Sequence, residues 1–201
     1  MIPRRVWLVL LSVLVLLTGL SARPLQAQGG NERYFERTQH YVRGEFLVFY
    51  DSIPNAELLL GAPITEAGTD RFRDNVTVQY FEKGRLELDI TGKVGERISI
   101  SDLGRLLFDE TQRGIPQDYS ANANNRCRLF PETGKTVCYE FRNFYDAHEG
   151  AKYFGLPISD TELLDGRLVQ YFERARLEWQ PEREAGQRVV LTPLGLIYVE
   201  K

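Results

Sequence analysis

Gln79-Tyr-Phe-Glu-Lys-Gly-Arg-Leu-Glu87 and Gln170-Tyr-Phe-Glu-Arg-Ala-Arg-Leu-Glu178, two stretches of one chain of 201 residues, are identical at seven of nine positions. Each follows an alternating, β-prone run (Val76-Thr-Val-Gln-Tyr-Phe in the first) and contains a turn signal, Lys83-Gly84 or Arg174-Ala175, before a second β-prone stretch. That layout predicts a β-hairpin. Ala175 suits a type I′ turn poorly, so a longer bulged turn is expected.

The repetition spreads outward in both directions. Phe35 to Asp51 aligns with Phe130 to Asp146, with Phe, Thr, Val, Glu, Phe, Phe, Tyr and Asp recurring in place. Gly61-Ala-Pro-Ile-Thr-Glu66 matches Gly155-Leu-Pro-Ile-Ser-Asp160, and Arg97 to Gly104 matches Arg188 to Gly195. Four blocks in one order predict an internal duplication. In each copy Val42, Phe46, Phe49 and Tyr50, or Val137, Phe141, Phe144 and Tyr145, fall at i, i+4, i+7 and i+8, the spacing of one helix face. The Gly-x-Pro-Ile block reads as a turn whose Thr65 or Ser159 can cap the polar segment after it. Ser101-Asp102 and Thr192-Pro193 read as the N-cap and first position of a short helix. The expected fold is therefore α+β: two tandem copies of a helix, turn, β-hairpin and short helix, built on aromatic cores, with the two hairpins packed or paired together.

The remaining segments are read by composition. Arg4 and Arg5 precede an apolar run from Val6 to Leu20, then small residues to Ala27, the layout of a secretory signal peptide. That run is shorter than the roughly 20 residues of a membrane span, so membrane attachment is expected only if the leader is retained. The predicted organisation is signal peptide 1–27, flexible tail 28–33, repeat unit 34–111, linker 112–126 and repeat unit 127–201. The linker is polar, with Gly114, Pro116 and the run Ala121 to Asn125.

The formal charge is −3, and losing the leader removes three arginines and no acid, leaving −6. Nucleic acids and anionic membranes select basic surfaces, so neither is an expected partner. Cys127 and Cys138 are the only cysteines. In an exported chain they are expected to form a disulfide across a turn at Pro131-Glu-Thr-Gly134. The two histidines, His40 and His148, fall at unmatched positions, and there is no nucleophile elbow, phosphate loop or zinc signature. No catalytic residue, metal or cofactor is expected, though paired carboxylates leave a hydrolase as an open alternative.

The repeated polar set is Gln79, Tyr80, Arg85 and Glu87 with Gln170, Tyr171, Arg176 and Glu178. It reads either as a ligand surface presented twice, with the tyrosines or Trp179 as platforms in matching shallow grooves, or as cross-strand pairing that sets hairpin register.

At Phe130-Pro-Glu-Thr-Gly134, Phe154-Gly-Leu-Pro-Ile158 and Val169 to Glu178 the second copy resembles tandem repeats of secreted bacterial proteins, similar in outline to the LGFP repeats of cell-wall-associated proteins. The first copy keeps Leu60-Gly-Ala-Pro63 and the Gln79 block, but has Glu36-Arg-Thr-Gln39 where the family has Pro-x-Thr-Gly. The resemblance covers nearly all of the chain after the leader. It implies an extracytoplasmic accessory module of the kind found beside wall-active enzymes, and it supplies no catalytic residues. The leading expectation is a secreted or cell-surface module that binds cell-wall glycan or another envelope polymer. A protein-interaction scaffold, whose partner would be an envelope protein, is the alternative, and it would show one large apolar patch.

Overall fold

A computed structural model describes residues 31–109, 113–117, 119 and 125–200. The predicted leader, residues 28–30 of the tail and residues 112, 118 and 120–124 of the linker lie outside the described residues. In chain order the N-terminal half contains β1 (Glu32–Phe35), β2 (His40–Arg43), α1 (Gly44–Ser52), α2 (Ala56–Leu59), β3 (Gly68–Thr69), β4 (Val76–Tyr80), β5 (Arg85–Asp89), β6 (Ile98–Ile100) and α3 (Leu103–Leu107). The C-terminal half contains β7 (Ile115–Pro116), β8 (Cys127–Phe130), β9 (Lys135–Cys138), α4 (Tyr139–Ala147), α5 (Gly150–Tyr153), β10 (Glu162–Leu164), β11 (Arg167–Tyr171), β12 (Arg176–Trp179), β13 (Val189–Leu191) and α6 (Leu194–Val199). The fold is mixed α and β, and its described sheets are small and antiparallel. They comprise the hairpins β1-β2 and β8-β9, a four-stranded sheet β3-β4-β5-β6, and a five-stranded sheet β13-β12-β11-β10-β7.

Each half has a hairpin ahead of its first helix: β8-β9 spans the turn expected between the cysteines, and β1-β2 stands where the sequence pattern predicts a tail and a helix. Glu32 and Arg33, assigned to the tail, pair in β1 with Arg43 and Val42. Val42 and Val137, counted into the helix face, lie in strands β2 and β9 and are fully buried there. The chain then turns a corner in the left-handed region at the first residues of α1 and α4, Gly44 (φ 58°) and Tyr139 (φ 53°). The corner carries the valine onto the same core as Phe46 and Tyr50, or Phe141 and Tyr145, so the apolar spacing runs on across a break in the helix.

In the second hairpin, Gly134 (φ 65°) closes the expected Pro131-Glu-Thr turn, its N–H donating to Phe130 O at 2.8 Å. Cys127 and Cys138 stand opposite each other and form the disulfide. Gln39 (φ 61°) makes the corresponding turn of β1-β2 without a glycine.

Thr65 and Ser159 cap no helix. Their hydroxyl oxygens accept from Tyr80 N–H at 3.1 Å and Tyr171 N–H at 3.0 Å, tying the Gly-x-Pro-Ile turn to the hairpin strand. Next to each turn an acid fixes the loop: Glu82 accepts from Ala62 N–H, and Glu173 from Leu156 N–H. Those carboxylates occupy the space a Cβ would need at Gly61 and Gly155, both at positive φ. At the hairpin tips Phe81 N–H donates to Gly84 O and Phe172 N–H to Ala175 O, both at 2.8 Å. Neither Gly84 nor Ala175 enters the left-handed region, which is why alanine is tolerated there.

Part of the predicted linker is structure. Ile115–Pro116 is an edge strand on β10, pairing with Leu163 and Glu162. Glu162 is buried, and a buried carboxylate needs a partner. Arg113 supplies it as an ion pair, and Gly114 N–H adds a hydrogen bond at 3.0 Å. Pro116 is admissible because the strand is at the sheet edge.

The two hairpins do not pair; the short helices join the halves instead. α3 and α6 pack together, and each lies on the hairpin tip of the opposite half. Arg105 N–H donates to Glu173 O at 2.9 Å, and Leu196 N–H to Glu82 O at 3.2 Å. A Cβ on Gly104 would lie 1.9 Å from Phe172 O, and one on Gly195 1.8 Å from Phe81 O, so only glycine permits the approach. Leu103 and Leu194 are sealed beneath the crossing, at 0% and 1% exposure. One buried cluster runs through both halves, from Val42 and Phe81 to Phe172 and Leu191.

Candidate functional site

The repeated polar residues lie on β4-β5 and β11-β12, and the structure places them in two networks. Gln79 and Gln170 are fully buried. The Gln79 amide donates to Tyr41 O at 2.6 Å and Thr65 O at 2.9 Å; the Gln170 amide donates to Thr136 O at 2.9 Å and Ser159 O at 3.0 Å. Each ties the opening hairpin and the Gly-x-Pro-Ile turn to the central sheet. Arg85 is buried and donates to Ser101 Oγ (2.7 Å), Tyr80 OH (3.1 Å) and Glu87 (2.6 Å). Ser101 in turn donates to Glu87, and Arg73 closes the set on Glu87 at 2.7 Å. Burial raises the Glu87 pKa, but these hydrogen bonds and charges outweigh it and hold the carboxyl below its ordinary range.

Arg176 repeats the pattern, donating to Thr192 Oγ1 and Tyr171 OH at 2.9 Å each, with Glu178 at 3.9 Å. Ser101 and Thr192, read from the sequence as N-caps, thus accept from the arginines, and neither following helix has a side-chain cap.

The tyrosines face the seam. Tyr80 stacks on Tyr198 of α6 with ring centroids 5.7 Å apart, and Tyr171 meets Phe108, just after α3, edge-on at 5.2 Å. Trp179 lies near Arg188, 5.7 Å from its ring, rather than beside Arg176. The structure therefore brings all eight residues into the hairpins and their seam, and each tyrosine ring is half-buried against the other half.

A groove opens along the same seam. Its volume is about 610 Å³, with Glu82 and Lys83 on one wall and Phe144, His148, Glu178, Gln180 and Arg183 on the other. The Lys83 ammonium donates to the last carbonyls of α2, Leu58 O at 2.8 Å and Glu57 O at 3.3 Å. Burial is the main cause holding its pKa below the ordinary lysine value. Burial raises the Glu82 pKa, but hydrogen bonds from Arg37 and Ala62 more than offset it and keep the carboxyl low. His148 stacks on Phe144 at 4.2 Å, and its Nδ1 is 2.8 Å from Phe144 O. Its Nε2 makes no hydrogen bond among the described residues, and Arg183 is held on Gln180 at 2.6 Å.

A flat ring pair flanked by two cations, two carboxylates and an amide suits a ligand with an apolar face and a polar edge. Of these groove residues the sequence singles out Glu178, through the matched hairpin blocks. Lys83 and His148 come from segments far from Gln180 and Arg183 in the chain, so no local pattern marks them together. Among the described residues no cluster of histidine, cysteine, aspartate and glutamate could hold a metal. No protein-family model matches the chain, and no curated protein matches it.

Proposed function

We propose that the chain is an exported, non-catalytic module of two tandem repeats that binds a polar polymer of the cell envelope, such as wall glycan, in the groove between the repeats. The duplication reading is supported by the order of elements, since hairpin, two helices, central sheet and closing helix occur in each half. Buried positions support it as well: Val42 and Val137, Gln79 and Gln170, Phe81 and Phe172. The resemblance to LGFP-like repeats, the apolar leader and the disulfide favour a secreted or cell-surface location. No helix among the described residues is long and apolar enough to cross a membrane.

The observation that carries the binding reading is the groove itself. It is the meeting of an aromatic platform, Phe144 with His148, and charged side chains of both signs that do not cancel into one buried pair. The test is co-sedimentation of the purified protein with isolated bacterial cell walls. Wild type is expected to bind, and His148→Ala combined with Arg183→Ala is expected to weaken binding at least tenfold while leaving the fold intact by circular dichroism. Neither side chain belongs to the buried core, in contrast to Arg85, whose removal would disturb the hairpin. No sedimentation of wild type, or equal binding by the double variant, defeats the reading.

A further inference from the structure

A second concavity lies wholly in the C-terminal half, where the end of β9 and the start of α4 face β11 and β12. Its volume is about 200 Å³, and its walls are Cys138, Tyr139, Phe141, Thr161, Leu168 and Trp179. Tyr119 and Glu140 stand at its rim, with Tyr119 edge-on to Tyr139 at 5.4 Å.

The corresponding place in the N-terminal half is fixed by shared strand register, since Glu32 pairs with Arg43 where Cys127 pairs with Cys138. There the positions of Tyr139, Leu168 and Trp179 are held by Gly44, Thr77 and Leu88. An ion pair between Glu45 and Arg97 spans the site. In the C-terminal half Arg188 lies over the Trp179 ring and donates to Arg183 O at 3.1 Å, while Glu140 accepts from Asn143 at 3.2 Å, and among the described residues the two form no ion pair. The differences converge: three residues become larger around one hollow, the Glu32–Arg43 ion pair gives way to the Cys127–Cys138 disulfide, and the bridge across the mouth is gone.

One of these changes works against the backbone. Tyr139 sits at φ 53°, a conformation that Gly44 adopts freely and that strains a residue with a side chain. A tyrosine is kept there in spite of that strain, its ring forming one wall of the hollow and lying edge-on to Tyr119.

We propose that this hollow binds one neutral monocyclic aromatic compound. Size sets the scale, because an apolar cavity of roughly 150 Å³ accommodates benzene, and this one has room for a ring with a small substituent. Charge sets the rest. Arg126 and Arg188 already lie against the Tyr139 and Trp179 rings, at 6.0 and 5.7 Å, and disfavour a cation. The Glu140 carboxylate at the mouth disfavours an anion.

The test is an NMR titration of the isotope-labelled protein with p-cresol, following the Trp179 indole N–H resonance, which Trp179→Phe identifies. A saturable shift is expected with p-cresol, and at least tenfold weaker binding with benzoate and with benzyltrimethylammonium. Tyr139→Gly removes one wall and is expected to lower p-cresol affinity at least tenfold, with the fold retained by circular dichroism. Trp179→Leu, read by calorimetry, is expected to do the same to affinity. Absence of saturation, tighter binding of the cation or anion, or unchanged affinity in both variants overturns the assignment.

Discussion

Replacing Gly104 or Gly195 with alanine tests the crossing of the two short helices. An added Cβ at Gly104 would meet Phe172 O at 1.9 Å and Ala175 O at 2.9 Å, while Cβ contacts below 3.0 Å are essentially unknown. The obstacle is backbone, fixed by the Phe172 N–H bond to Ala175 O, so it cannot swing aside as a side chain would. α3 must retreat by about 1 Å. Retreat stretches the adjacent bond from Arg105 N–H to Glu173 O beyond useful length and loosens the packing over Leu103. Overpacking of this kind costs about 1–3 kcal/mol and the lost bond about 1 kcal/mol. Each single variant should therefore lose about 3 kcal/mol, or roughly 6–12 °C in melting temperature for a chain of this size.

Gly68→Ala is the control, because its Cβ would meet nothing within 4 Å. It should stay within about 0.5 kcal/mol of wild type. Thermal and urea unfolding followed by circular dichroism read all three. If Gly104→Ala and Gly195→Ala both melt within about 2 °C of Gly68→Ala, the helices do not hold the halves together as described.

Gln170→Leu should cost about 3 kcal/mol, since it leaves the Thr136 and Ser159 carbonyls without their donor in the core; a loss under about 1 kcal/mol in urea unfolding would remove the amide from its structural role. Stability should also fall in acid. The folded Glu87 carboxyl lies below its ordinary value of 4.5, so its contribution is complete above that pH and is lost as pH drops through the depressed folded value. Glu87→Gln should therefore flatten the acid limb of a stability-against-pH curve, and an unchanged limb would show that other carboxylates govern it.

The hairpins, the disulfide and the Gly-x-Pro-Ile turn were legible because each is written in a few neighbouring residues. The helix starts were not, because a left-handed corner at Gly44 or Tyr139 keeps Val42 or Val137 on the core and so imitates an unbroken apolar face. Ser101 and Thr192 carry the chemistry of N-caps, and only the fold reveals that a buried arginine competes for the same oxygen. Gly104 and Gly195 recur in the sequence, but the reason lies on the hairpin of the other half. The candidate sites were the least legible part. Matching sequence blocks select residues that both halves need, which are those of the fold: Gln79, Arg85 and their counterparts. The seam groove and the aromatic hollow draw on positions where the halves differ, His148, Arg183, Tyr139 and Trp179, and a search for sameness passes over them.

The exchanged helices also set a timetable. Arg105 finds Glu173 68 positions further along the chain, so at a synthesis rate of about 5–20 residues per second α3 waits roughly 3–14 s for its receptor to be made. The β4-β5 tip waits longer still, until α6 emerges as the last described helix. Neither hairpin tip is covered until both halves have been made, because each is closed by a helix of the other half.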